Sequence, residues 1–170
     1  MNSNLSKYLI YHPITILKGE MVFKYLKFYK KFQFFSKKEI QEYKIDSIKN
    51  ILNYAYHNIK FYHRLYNSHN IKPSDFHSIN DLSKFPTISK QDIVENEEDL
   101  KFQSKFPLFI SKKTTGGSTG RAVSIYKNPS ALARERAATW RSYEWAGVSI
   151  GSQQARFWGI PLTSYNQIKS

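Results

Sequence analysis

The run Thr114 to Gly120 (TTGGSTG) is rich in glycine and hydroxyl side chains, the composition of a loop, and the residues on both sides of it read as strands. Leu108-Phe109-Ile110 precedes it and Ala122 to Tyr126 (AVSIY) follows. The loop's three glycines allow successive backbone N–H groups to converge on one anion, and its four hydroxyls add neutral donors beside them. That is the chemistry of a polyphosphate cradle. The same composition also suits a flexible surface loop. The common nucleotide motifs do not fit: Gly120 is followed by Arg121 rather than by Lys-Ser/Thr, and no G-x-G-x-x-G occurs.

Upstream of the loop the pattern is helical. Ser36-Lys37-Lys38-Glu39 is a capping box. Behind it Ile40, Ile48, Ile51, Leu52 and Ala55 recur at helical period to about His57. A short helix is expected over Tyr62–Tyr66, and Ser78 to Asp81 and Ser89 to Asp92 carry two more N-cap signatures. Met21 to Phe35 places Lys24, Lys27 and Lys31 on one helical face. This fits an interfacial membrane helix, or an ordinary amphipathic helix covering a core. Downstream, Asn128-Pro129-Ser130 opens a helix that Gly147 stops, and Ala155 to Trp158 reads as a further strand. The apolar face of that helix, with Leu132, Trp140 and Trp145, fits a ligand pocket or, more commonly, core packing. The expected fold class is α/β: a helical region over 1–100, then a sheet-bearing region over 101–170 that holds the loop 114–120.

Composition narrows the function. With 170 residues, 41% hydrophobic and 16% aromatic, the chain has enough apolar material for a core. No cysteine is present, which removes disulfides and thiolate metal sites. His57, His63 and His69 recur every six residues, a spacing that stacks no two on one helical face, so no metal site is expected. The net charge of +13 is a diffuse lysine excess, +7 on residues 1–60 and +6 on the rest, in a chain also rich in Asn, Ile, Phe and Tyr. AT-rich coding yields that bias by itself. No nucleic-acid partner is expected, and a membrane surface is a weak alternative. The longest apolar run, Tyr8 to Leu17, is interrupted by His12 and Pro13 and falls short of the ~20 residues of a membrane span. It lacks a signal peptide's features too, so a cytoplasmic location is expected.

At this point the chain resembles a known family. Thr115 to Gly120 is similar to the phosphate-binding signature of adenylate-forming enzymes. More narrowly, Leu52 to Arg64 (LNYAYHNIKFYHR), Ile79 to Lys90 (INDLSKFPTISK), Trp145-Ala146-Gly147, Gly151 and Arg156 to Gly159 resemble, in order, segments of the phenylacetate–coenzyme A ligase-like family. That family includes the CapK group of capsular polysaccharide loci. The resemblance implies the start of a mixed-sheet large domain, with Thr115, Gly116, Gly117, Ser118, Thr119 and Gly120 on the phosphates of ATP with Mg2+. Arg121 could add charge there. The reaction implied joins a carboxylate to the α-phosphate and passes the acyl group to a thiol such as coenzyme A. Two positions depart: Ala122 stands where proline is usual, and Ser152 where a Gly-Asp pair is common. Family members run several hundred residues further and supply there the acyl pocket, a ribose-binding acid and a mobile lysine. The expectation is therefore an N-terminal portion with no catalytic residue of its own, inactive in ligation and poorly soluble alone. Its rivals are a non-catalytic nucleotide- or phosphate-binding module and a basic peripheral membrane protein.

Overall fold

The computed structural model describes residues 3–102, 109–115, 122–153 and 155. Its elements are α1 (Ser3–Leu5), a π-helix (Ser6–Tyr11), α2 (His12–Leu17), α3 (Val22–Phe32), α4 (Lys37–Asn58) and α5 (Lys60–Ser68). Two 3-10 turns follow, Pro73–Asp75 and Ile79–Lys84, then α6 (Lys90–Glu95), β1 (Ser111–Thr114), β2 (Ser124–Lys127) and α7 (Pro129–Trp145). The described residues are thus mostly helical, with one two-stranded antiparallel sheet, a composition compatible with an α/β class.

Local chemistry sets most of these boundaries. Ser36 and Glu39 exchange both capping-box hydrogen bonds at the start of α4, Ser36 N–H donating to Glu39 at 2.7 Å and Glu39 N–H to the Ser36 hydroxyl at 3.3 Å. Ser89 and Asp92 do the same for α6. Asn128 Oδ1 accepts from Ala131 N–H at 2.8 Å, and Pro129 fills the first helical position of α7. The π-stretch is where the N-terminal helix accommodates Pro13. A proline has no N–H and crowds the carbonyl four residues back, and a widened turn relieves that crowding. Here His12 N–H reaches back to Lys7 O. Gly19 (φ +70°) and Gly147 (φ +75°) end α2 and α7 in the left-handed conformation that a helix C-terminus often needs.

Two separate cores result. In the first, Val22 and Leu26 of α3 meet Ala133 and Ala137 of α7, with Ile150 closing the end. Both pairs are spaced i, i+4, so each forms a ridge, and the alanines let the two helices approach closely. Trp140 Nε1 donates to Tyr11 OH at 3.0 Å at its margin, and Lys30–Glu144 (2.7 Å) and Arg136–Glu20 (2.8 Å) tie the same two stretches of chain together. The second core gathers Leu52, Tyr66, Ile71, Phe76 and Phe85 from α4, α5 and the 3-10 turns. Phe28 and Phe32 of α3 lie against Tyr43 of α4 and so bridge the two.

Four expectations are corrected. The strand expected at Leu108–Ile110 lies at Ser111–Thr114: Leu108 is outside the described residues, and Phe109 and Ile110 precede the pairing. The returning strand is Ser124–Lys127, not Ala122–Tyr126. On α7 the fully buried positions are Ala133, Ala137 and Arg141, the two alanines allowing close approach to α3. Of the apolar residues expected there Trp140 packs at the margin of the core, whereas Trp145 is 73% exposed. Ile51, assigned to the apolar stripe of α4, is 65% exposed. The strand expected at Ala155–Trp158 lies, beyond Ala155, outside the described residues.

Candidate functional site

The hairpin β1–β2 presents the glycine-rich loop. Register pairs run Ser111↔Lys127, Lys112↔Tyr126, Lys113↔Ile125 and Thr114↔Ser124. Beyond the last pair the strands stay joined: Thr115 N–H donates to Val123 O at 2.9 Å, and Val123 N–H donates to Thr115 Oγ1 at 3.0 Å. Thr115 thus pins the base of the loop with backbone and side chain together. Its hydroxyl keeps its own proton to donate. Gly116, Gly117, Ser118, Thr119, Gly120 and Arg121 lie outside the described residues.

Ion pairs clamp both faces of the hairpin. On one face Lys112 Nζ lies 3.0 Å from Glu97 Oε1, and Tyr126 OH donates to the same oxygen at 2.7 Å. The Tyr126 hydrogen bond first, and then the Lys112 ammonium, hold the Glu97 carboxyl below its ordinary range. Glu97 in turn raises Lys112. A carboxylate so committed is a poor proton acceptor at neutral pH, which makes Glu97 a clamp rather than a general base. On the other face Glu135 of α7 takes Lys127 at 2.6 Å and Lys113 at 3.3 Å. Lys127 leads in lowering the Glu135 carboxyl, against a smaller opposing effect of burial. The strands are therefore fixed to the α6 side and to α7, with β1 mostly exposed and β2 mostly half-buried.

Beside the Glu97 clamp lies a half-open cleft of about 450 Å3 between α4, α6 and β2. Tyr54, Ile59, Tyr62, Ile93, Leu100 and Tyr126 make its lining mostly apolar. Neither clamp nor cleft was legible in the sequence. Glu97 lies 15 residues from Lys112 and 29 from Tyr126, and no spacing rule connects them.

The three histidines do not converge. His63 Nδ1 pairs with Tyr56 O at 3.0 Å, His69 Nδ1 with Leu65 O at 2.9 Å, and the His57 ring meets Tyr56 edge-on. Among the described residues no three of His, Cys, Asp and Glu gather as metal ligands, and no helix is long and apolar enough to cross a membrane. The Met21–Phe35 segment forms α3, which buries Val22 and Leu26 against α7 and so covers a core.

No family model matches the chain. It is similar to phenylacetate-coenzyme A ligase of Escherichia coli (strain K12), with 30% identity over 87 residues, a stretch taking in 51% of this chain. That stretch covers 20% of the enzyme's length, so the chain spans about a fifth of the relative it matches. The likeness relates part of this chain to a ligase, and it does not reach the finer CapK grouping.

Proposed function

We propose that this chain holds the phosphates of Mg-ATP in the loop Thr115–Gly120, as the phosphate-binding part of an adenylate-forming, carboxylate-activating ligase. The likeness to phenylacetate-coenzyme A ligase carries the reading. The described geometry is in keeping with it. A cradle needs its two ends held together so that N–H groups turn inward, and the Thr115–Val123 pair supplies that closure. It also needs donors that are not already neutralised. Lys112, Lys113 and Lys127 are committed to Glu97 and Glu135, so charge compensation falls to backbone N–H groups, to the hydroxyls of Thr115, Ser118 and Thr119, and to Arg121.

In such an enzyme ATP supplies the activated α-phosphate that a carboxylate attacks, and a thiol such as coenzyme A then takes the acyl group. This chain's share is to bind and orient the polyphosphate, which contributes through positioning rather than proton transfer. Calorimetric titration of the full chain with Mg-ATP checks the proposal. Saturable binding is expected, weakened about tenfold or more in Gly117→Asp, which adds a negative charge to the loop that holds the phosphates. Absence of saturable heat, or equal affinity in that variant, would sink it.

A further inference from the structure

Among the described residues the largest run of uncovered apolar side chains is at the N-terminus, far in sequence from the glycine-rich loop. Along α1, the π-stretch and α2 the side chains divide by face. Tyr11 and Thr15 turn inward, Tyr11 against the α3–α7 core. Leu5, Leu9, Ile10, Ile14, Ile16 and Leu17 remain exposed, Leu9 at 66% and Leu17 at 77%. Exposed aliphatic side chains scattered singly need no explanation, but six within thirteen consecutive positions of one helical rod form a patch that marks an interaction surface.

Charge identifies what the patch fits. Lysines border it: the Lys7 ammonium lies over the half-exposed Tyr8 ring, 5.1 Å from its centre, and Lys18 follows Leu17 and shares a groove with Ile10 and Ile14. Residues 1–35 hold six lysines and one acid, Glu20. That acid is 3% exposed and paired with Arg136, so it presents no negative charge at the surface. An apolar face edged by cations, with no exposed carboxylate, complements an anionic lipid surface. The rod of 15 residues is about 20 Å long, shorter than the ~30 Å hydrocarbon core, so it would lie in the interface rather than cross it.

We infer that residues 5–18 form an in-plane attachment site for anionic bilayers, with Leu9 and Leu17 inserted, Tyr8 at the headgroup level and Lys7 and Lys18 on the phosphates. The inference stands apart from the nucleotide reading and uses none of its residues. The test is sedimentation of the full chain with vesicles of phosphatidylcholine alone and with vesicles of phosphatidylcholine and phosphatidylglycerol in equal parts.

The expected result is binding to the mixed vesicles, weaker by about tenfold or more on the neutral ones and falling with added salt. The double variant Leu9→Glu, Leu17→Glu changes only exposed positions and keeps the parent's circular dichroism. It should lose at least about tenfold in affinity. Lys7→Gln with Lys18→Gln should abolish most of the preference for anionic vesicles while leaving the residual neutral binding. Failure of the parent chain to bind mixed vesicles overturns the inference, as does equal binding by the Leu9→Glu, Leu17→Glu variant. A parent that ignores vesicles but is dimeric, and becomes monomeric in that variant, overturns it in favour of a second copy of the chain as the occupant.

Discussion

Among the described residues, three hold the left-handed backbone conformation immediately after a helix: Gly19, Asn70 and Gly147, with φ of +70°, +51° and +75°. At each the same pair of hydrogen bonds closes the helix. After α7, Gly147 N–H donates to Glu144 O and Val148 N–H to Tyr143 O, both at 3.0 Å. After α5, Asn70 N–H reaches Asn67 O at 3.1 Å and Ile71 N–H reaches Tyr66 O at 3.0 Å. Nothing lies within 4 Å of a methyl group built on Gly147, so Gly147→Ala isolates the backbone term. It should cost about 1 kcal/mol, read as a fall in thermal midpoint of about 2–4 °C. Asn70→Gly is expected to move the other way by a few tenths of a kcal/mol, roughly within reach of urea unfolding. The stop at Gly147 is legible in sequence because a C-terminal glycine is a local signal. Asn70 is not, since asparagine serves equally in turns and caps that leave no trace of φ.

At the scale of elements, helix starts follow sequence and strands do not. A capping box is written within four residues, so Ser36–Glu39 and Ser89–Asp92 fall where the sequence places them. The strand SKKT carries no apolar alternation, and its position is decided by partners elsewhere in the chain, Glu97 and Glu135. These short-range and long-range devices share a titration behaviour. Ser36 N–H and hydroxyl lower Glu39, the Lys84 ammonium leads in lowering Asp81, the Ser89 hydroxyl lowers Asp92, and the hairpin clamps lower Glu97 and Glu135. Each is still ionised in the folded chain at a pH where the unfolded chain has begun to take up its proton. Their contribution to stability is therefore present above the ordinary carboxylate range, about pH 4, and is lost as pH falls through the folded values. A thermal midpoint that is flat from neutrality to about pH 5 and declines below it is expected. Tyr126→Phe removes the leading cause at Glu97 and should move that carboxyl upward, seen as a shift to higher pH of its carbon resonance titration. An unmoved titration would mean that Lys112 alone sets it.

Across the whole molecule the decisive pairing joins residues more than a hundred positions apart. Val22 and Leu26 advertise a helix face, and Ala133 and Ala137 advertise another, but no local pattern says that the two faces meet. The sequence instead points to Leu132, Trp140 and Trp145 as the packing face of α7, because large apolar side chains usually dominate cores. Trp140 does pack at the margin of that core, but close helix approach gives the fully buried positions to Ala133 and Ala137 and leaves Trp145 exposed. The consequence is two cores among the described residues that share no residue, one built by the ends of the described chain and one by its middle. An 11-residue helix such as α3 is not stable alone in water, so its order depends on α7. Leu26→Ala, at a position 4% exposed, removes the central contact and should cost about 2–5 kcal/mol in that core. If the cores open as separate units, amide exchange in α3 and α7 rises together by the factor that this cost implies, while α4 and α5 keep their protection. The bridge of Phe28, Phe32 and Tyr43 is the structural reason for another outcome, in which all four helices lose protection equally. Equal loss would show that this aromatic contact suffices to make the two cores one cooperative unit.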